Sequence, residues 1–134
     1  MVSVAAGGPK GITQLFIVTA ALECGAGLAL LIAPAVIIRL LFGSAVEVFP
    51  AINIIRLTGV ALLSLGAACW WARGDERSAA ARAILGAMLT YNAAVAVLVL
   101  VGGLGSLGPL QWAAVVLHGV QGIWCARVVA AWRR

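Results

Sequence analysis

Apolar positions along the chain gather into four long runs, at about 11–33, 49–72, 83–102 and 109–131, separated by short stretches rich in turn-forming residues. Each run reaches the roughly 20 apolar residues that a helix needs to cross a bilayer. The breaks fall at Pro34, at Gly43-Ser44, at Gly74-Asp75 and between Gly102 and Pro109, where helices end and turns form most readily. The pattern predicts an all-α integral membrane four-helix bundle, a single membrane domain over residues 1–134. Between the first two spans, Ala35–Phe42 is apolar but for Arg39, which predicts a short helix lying along the membrane interface.

Composition agrees with lipid as the solvent. Of 134 residues 64% are hydrophobic and 10% charged, against about 25% charged in an ordinary soluble domain. The net charge of +5 raises the question of a nucleic-acid partner, and the positions of the charges answer it. If the spans alternate in direction, Lys10, Arg73, Arg77, Arg82, Arg127, Arg133 and Arg134 fall on one side and Arg39 alone on the other. The positive-inside rule then puts both termini in the cytoplasm. No basic face is left for nucleic acid, and the expected partner of these residues is membrane lipid with anionic headgroups. Trp70, Trp71 and Trp132 fall at the cytoplasmic interface and Trp112 near the outer one, as an aromatic belt requires. Ala33-Pro34-Ala35 has small residues after an apolar stretch, yet the stretch is too long for a signal peptide and Glu23 interrupts it, so the first span is expected to be retained.

Two features that look like chemistry have plainer readings. Gly103-Leu-Gly105-Ser-Leu-Gly108 matches a dinucleotide-binding pattern, but that pattern needs a strand before it and a helix after it. Here it joins two membrane spans, where glycines serve a turn and Pro109 opens the next helix. Cys24, Cys69 and Cys125 are widely spaced, one in each of three spans, which indicates small packing residues rather than a metal site or a disulfide framework. No cofactor and no metal is expected. Small residues such as Gly25, Gly27, Gly59, Gly66, Gly86, Gly119 and Gly122 recur through the spans and favour close helix approach, within a bundle or at a homo-oligomer seam.

The informative residues are those that hydrocarbon does not tolerate: Glu23, Arg56, Asn92 and His118, one in each span. Counted from the outer ends they lie roughly seven to ten residues deep, which at about 1.5 Å per residue places them within ~5 Å of one level. A charge at the membrane centre costs about 2.5–3.5 kcal/mol on insertion scales. Glu23 and Arg56 are therefore expected to face inward as an ion pair, with Asn92 and His118 completing a polar layer. Helical spacing adds Gln111 and Gln121 on the His118 face, Asn53 a turn outward of Arg56, and Thr19 beside Glu23. Tyr91 neighbours Asn92 but points about 100° away.

Glu23-Cys-Gly-Ala-Gly-Leu-Ala-Leu-Leu-Ile-Ala-Pro34, then Leu40-Leu-Phe-Gly43 and Arg56-Leu-Thr-Gly59, resemble in layout small bacterial four-helix membrane proteins of the DoxX-like kind. The resemblance covers most of the chain and implies the fold and a bacterial cytoplasmic (inner) membrane location; some such proteins look like membrane partners of oxidoreductases. It implies no catalytic residue. From the residues themselves, one function is a membrane-embedded enzyme that isomerises, cyclises or opens an epoxide of a lipophilic small molecule. Glu23 and His118 would exchange protons, Arg56 and Asn92 would orient the substrate or stabilise charge, and Asn53, Gln111, Gln121, Thr19 and Tyr91 would line the site. The alternative is an accessory or assembly subunit of a membrane complex, in which the polar layer only holds helices in register.

Overall fold

The computed structural model describes residues 11–43, 49–75, 78–102 and 108–132. They form α1 (Ile12–Ile32), α2 (Pro34–Phe42), α3 (Phe49–Ala72), α4 (Ala79–Gly102) and α5 (Pro109–Trp132), with no strand among them. Lys10, Ser44, Arg77, Arg133, Arg134 and residues 103–107 of the glycine-rich link lie outside the described residues. Four helices, Ile12–Ile32, Ala51–Ala72, Ala79–Gly102 and Pro109–Trp132, are long and apolar enough to cross a membrane, and the chain is a multi-pass membrane protein of all-α architecture. Its outer surface is consistent with this: Trp71, Ile32 and Leu98 are 79%, 77% and 69% exposed, a covering that suits lipid.

Local chemistry sets the helix ends. Ala33 leaves the helical conformation while its N–H closes onto the Ala29 carbonyl at 2.9 Å, and Pro34 opens α2 at a position where a missing N–H is harmless. The segment expected as a short helix is therefore a helix, Pro34–Phe42. It stops at Gly43, whose φ of 71° is the left-handed conformation favoured by glycine and whose N–H bonds the Arg39 carbonyl at 2.9 Å. α4 starts at Ala79 rather than at 83 because Ser78 caps it: the Ala81 N–H donates to Ser78 Oγ at 3.0 Å. Arg82 is consequently inside the first turn, with its guanidinium carbon 6.0 Å from the centre of the Trp132 ring.

The bundle is two antiparallel hairpins, α1 with α3 and α4 with α5. The α1–α3 contact is backbone to backbone. A Cβ added to Gly27 would stand 2.7 Å from the Gly59 carbonyl oxygen, one added to Gly59 would stand 2.7 Å from that of Gly27, and one on Gly66 would stand 2.6 Å from Cys24 Sγ. Ala20, Cys24 and Gly27 lie on one stripe of α1 and run opposite Gly66, Leu63 and Gly59 of α3, the small-residue seam that membrane helices use.

The sealed apolar core occupies one end of the bundle. Phe16 and Ala20 of α1, Cys69 of α3, Leu85 and Met88 of α4, and Cys125 and Val128 of α5 meet there. This is the end where α1 and α4 begin and α3 and α5 finish, and it carries Arg73 and Arg82. Thr13 Oγ1 donates to the Arg73 carbonyl at 3.0 Å, joining α1 to α3, while the Arg73 guanidinium lies 3.7 Å over the Trp70 ring and donates to the Trp70 carbonyl. Toward the opposite end the core gives out, and all five helices border a cavity, α3 through Leu62.

Gly27→Ala is expected to lower stability by about 1–3 kcal/mol through overpacking at the seam. Gly86→Ala, where nothing lies within 4 Å of the added Cβ, should stay within about 0.5 kcal/mol of the parent. Thermal unfolding of both variants in the same detergent checks the pair, and equal midpoints would show that the seam is not tight.

Candidate functional site

Four buried polar side chains, Thr19, Glu23, Asn92 and Gln121, sit where the apolar core ends. Glu23 is about as far from the first residue of α1 as from the last, so it lies near mid-membrane depth. The seam decides where its side chain goes. Cys24 and Gly27 face α3, so Glu23 turns about 100° from Cys24 toward the other hairpin.

There it meets a cavity of about 520 Å³, partly open to the outside. Glu23, Tyr91, Asn92, His118 and Gln121 are its polar lining, and Leu22, Ala26, Leu30, Ile37, Leu41, Leu62 and Leu117 are among its apolar walls. Volume and lining suit a small-molecule site, which typically holds about 300–1,000 Å³ of mostly apolar space with few polar groups.

The polar groups are ordered by one another. Asn92, fully buried, donates from Nδ2 to the Met88 carbonyl at 2.8 Å, and its Oδ1 lies 2.9 Å from His118 Nδ1. The reverse amide orientation would set two carbonyl oxygens face to face, so the network assigns the orientation. With Oδ1 as acceptor, His118 Nδ1 carries the proton, and a neutral ring then presents a lone pair at Nε2. Among the described side chains no sealed polar atom lacks a hydrogen-bond partner; Nε2 has no such bond, so it keeps access to the cavity that His118 lines. Tyr91 stands edge-on to His118, ring centres 5.6 Å apart at 82°, and its hydroxyl is close to the Glu23 carboxyl group. Gln121 Nε2 donates to Thr19 Oγ1 at 3.1 Å, which ties α5 to α1 beneath the cavity.

The structure brings Glu23, Asn92 and His118 together and leaves Arg56 out. Arg56 is exposed and borders a separate shallow groove with Asn53, Leu57 and Val60. Among the described residues no ion pair joins Glu23 to Arg56, which corrects the expectation from depth alone: the two share a level, but α3 turns Gly59, Leu62 and Leu63 inward and its 53, 56, 57, 60 stripe outward. Asn53 is outside the cavity for the same reason. Gln111 is elsewhere as well, its Oε1 accepting the Gly108 N–H at 2.8 Å to cap α5. Thr19 is buried beneath the site without lining it, and Gln121 forms part of the wall. Tyr91 gains importance. A cavity between two hairpins is wide enough to receive two consecutive residues of α4, and the Tyr91-Asn92 dipeptide was the available signal. Among the described residues no group of three or more His, Cys, Asp or Glu is placed to hold a metal ion.

No family model, curated protein or solved structure matches the chain, so the chemistry of the site rests on its geometry.

His118 is the only histidine, which makes its tautomer directly observable. Nitrogen-15 NMR of histidine-labelled protein should show the Nδ1–H form. In Asn92→Ala the Nε2–H form should appear, with a stability loss of about 1–3 kcal/mol from the partners left unpaired. A parent protein in the Nε2–H form would contradict the assigned network.

Proposed function

We propose that the protein is a membrane-embedded enzyme that acts by acid–base chemistry on a lipophilic small molecule, of the isomerase, epoxide-opening or cyclase type. One observation carries this: Glu23 and His118, from different hairpins, face one apolar cavity, with His118 oriented by Asn92 and Tyr91 standing beside Glu23. Proton shuttling on a bound molecule needs an acid–base couple that reaches it, and Glu23 and His118 both line the cavity, His118 with Nε2 left unbonded. In this scheme Glu23 and His118 exchange protons with the substrate, Asn92 holds His118 in its tautomer, and Tyr91 stands beside Glu23. Arg56 has no part in the reaction. Reactions that build up a full negative charge are disfavoured accordingly, since no guanidinium is present to stabilise it.

The accompanying topology is a DoxX-like layout in a bacterial cytoplasmic membrane, with both termini cytoplasmic and α2 resting in the outer interface. The charge distribution and the amphipathic α2 with Arg39 support it. A second reading, the accessory subunit, is favoured by the outward Asn53 and Arg56 on α3, which a partner helix with an acidic residue would cover.

Native mass spectrometry of the purified protein should reveal a retained hydrophobic molecule. Conversion of that molecule should fall at least about 100-fold in Glu23→Gln and in His118→Ala, the scale of general acid–base catalysis, and change little in Arg56→Gln. Full conversion by both site variants would eliminate the enzyme, and loss of a co-purifying protein in Arg56→Gln would favour the subunit reading. For topology, green fluorescent protein fused to the C-terminus should fluoresce and alkaline phosphatase fused there should be inactive; the opposite result would invert the bundle.

A further inference from the structure

The cavity is not equally covered on all sides. Its lining residues from α2, α3 and α4 are buried or half-buried, whereas Ala21, Leu22, Gly25 and Ala26 of α1 and Leu117 of α5 are exposed. The mouth therefore lies between α1 and α5. Below it the hydrogen bond from Gln121 to Thr19 joins the same two helices, and α2, which follows the end of α1, adds Ile37 and Leu41 to the wall.

Depth decides what the mouth faces. Gly25 lies about seven residues from the end of α1 and Leu117 about eight from the start of α5, which at about 1.5 Å per residue puts both roughly 10–12 Å inside the span. The headgroup region occupies only about 5–8 Å on either side of a hydrocarbon core about 30 Å thick. The opening thus gives onto hydrocarbon and not onto water.

Neither packing nor the backbone requires a glycine at position 25. A Cβ added to Gly25 meets nothing within 4 Å, whereas one added to Gly27 meets the Gly59 carbonyl oxygen at 2.7 Å. Positive φ among the described glycines is confined to Gly11 and Gly43, and a glycine inside a helix costs about 0.5–1 kcal/mol relative to alanine. What the missing side chain leaves is room at the mouth of the cavity.

We infer that the cavity fills sideways from the bilayer, through a portal between α1 and α5, and that Gly25 is the position that keeps this portal open and limits the breadth of what passes. This rests on the cavity being the ligand site proposed above. It specifies the source of the ligand: a molecule dissolved in the hydrocarbon, which reaches Glu23 and His118 without passing through water.

Decanol is the probe, and the nitrogen-15 shift of Nε2 of His118, the only histidine, reports its arrival in the full chain in lipid nanodiscs. The parent should show a saturable shift. Gly25→Leu and Gly25→Trp should weaken binding at least about tenfold, the scale on which an apolar site discriminates against excess methylenes. Gly86→Leu, equally open to an added Cβ but off the cavity lining, should match the parent. In Gly25→Trp the added indole emission, over the parental baseline, should be quenched by phospholipids brominated along the tail and not by aqueous iodide. Parental binding in Gly25→Leu would overturn the inference, and so would failure of that variant to fold, because the inference requires open space at position 25. Quenching by iodide would overturn it too, by placing the mouth in water. The two proposals fail separately: a portal that closes as expected, without turnover of any bound molecule, removes the enzyme alone, and turnover undiminished in Gly25→Leu removes the portal alone. A parent that shows no shift removes the cavity as a ligand site and the portal with it.

Discussion

The close approach of α1 to α3 through Gly27, Gly59 and Gly66 governs how everything else in the bundle is directed. A backbone contact at which an added Cβ would stand 2.6–2.7 Å from its neighbour admits no side chain, so whatever α1 carries beside that stripe must point elsewhere. Glu23 is next to Cys24 in the chain and is rotated off the seam by one helical step. The small residues that make the hairpin tight thus also aim the carboxylate at the second hairpin. Lipid offers no hydrophobic force to hold helices together, and without such a seam the α1 azimuth would have little to set it.

The second hairpin answers with a network whose order comes from the scarcity of partners at that depth. Asn92 spends its amide nitrogen on the Met88 carbonyl of its own helix and its oxygen on His118 of α5. In water either group could exchange its partner; in hydrocarbon the alternative is an unsatisfied polar group. Rigidity at this point fixes a tautomer, which fixes the accessible face of the only histidine. A chain of local necessities thus directs His118 Nε2 at the cavity.

The break at Pro34 has a spatial counterpart. Were α1 to continue straight, nothing would stand over the open side of the cavity. Because Ala33 leaves the helix and Pro34 starts another, α2 folds back to contribute Ile37 and Leu41 to the wall, and Gly43 then ends it. Arg56 illustrates the opposite outcome. It lies on the outward stripe of α3 with Asn53, Leu57 and Val60, and a long arginine side chain carries its charge along the helix toward the headgroups, so inward burial was not obligatory for it.

Much of the architecture was legible in the amino-acid order because it follows from quantities that run along the chain. Apolar run length set the spans, proline and glycine set their breaks, and counting residues set the depth shared by Glu23, Asn92 and His118. The apolar run begins at 83 and α4 at Ala79, because Ser78 caps the helix and a first turn admits the charge of Arg82 that an apolar run does not. Azimuth was the missing coordinate: one-dimensional counting gives Arg56 and Glu23 the same level but not the side of the helix each occupies, and it undervalued Tyr91. Only the packing of α1 on α3 and of α4 on α5 decided which polar groups meet, since the rotation of a helix about its own axis is set by its neighbours and not by its own periodicity when nearly all of its faces are apolar.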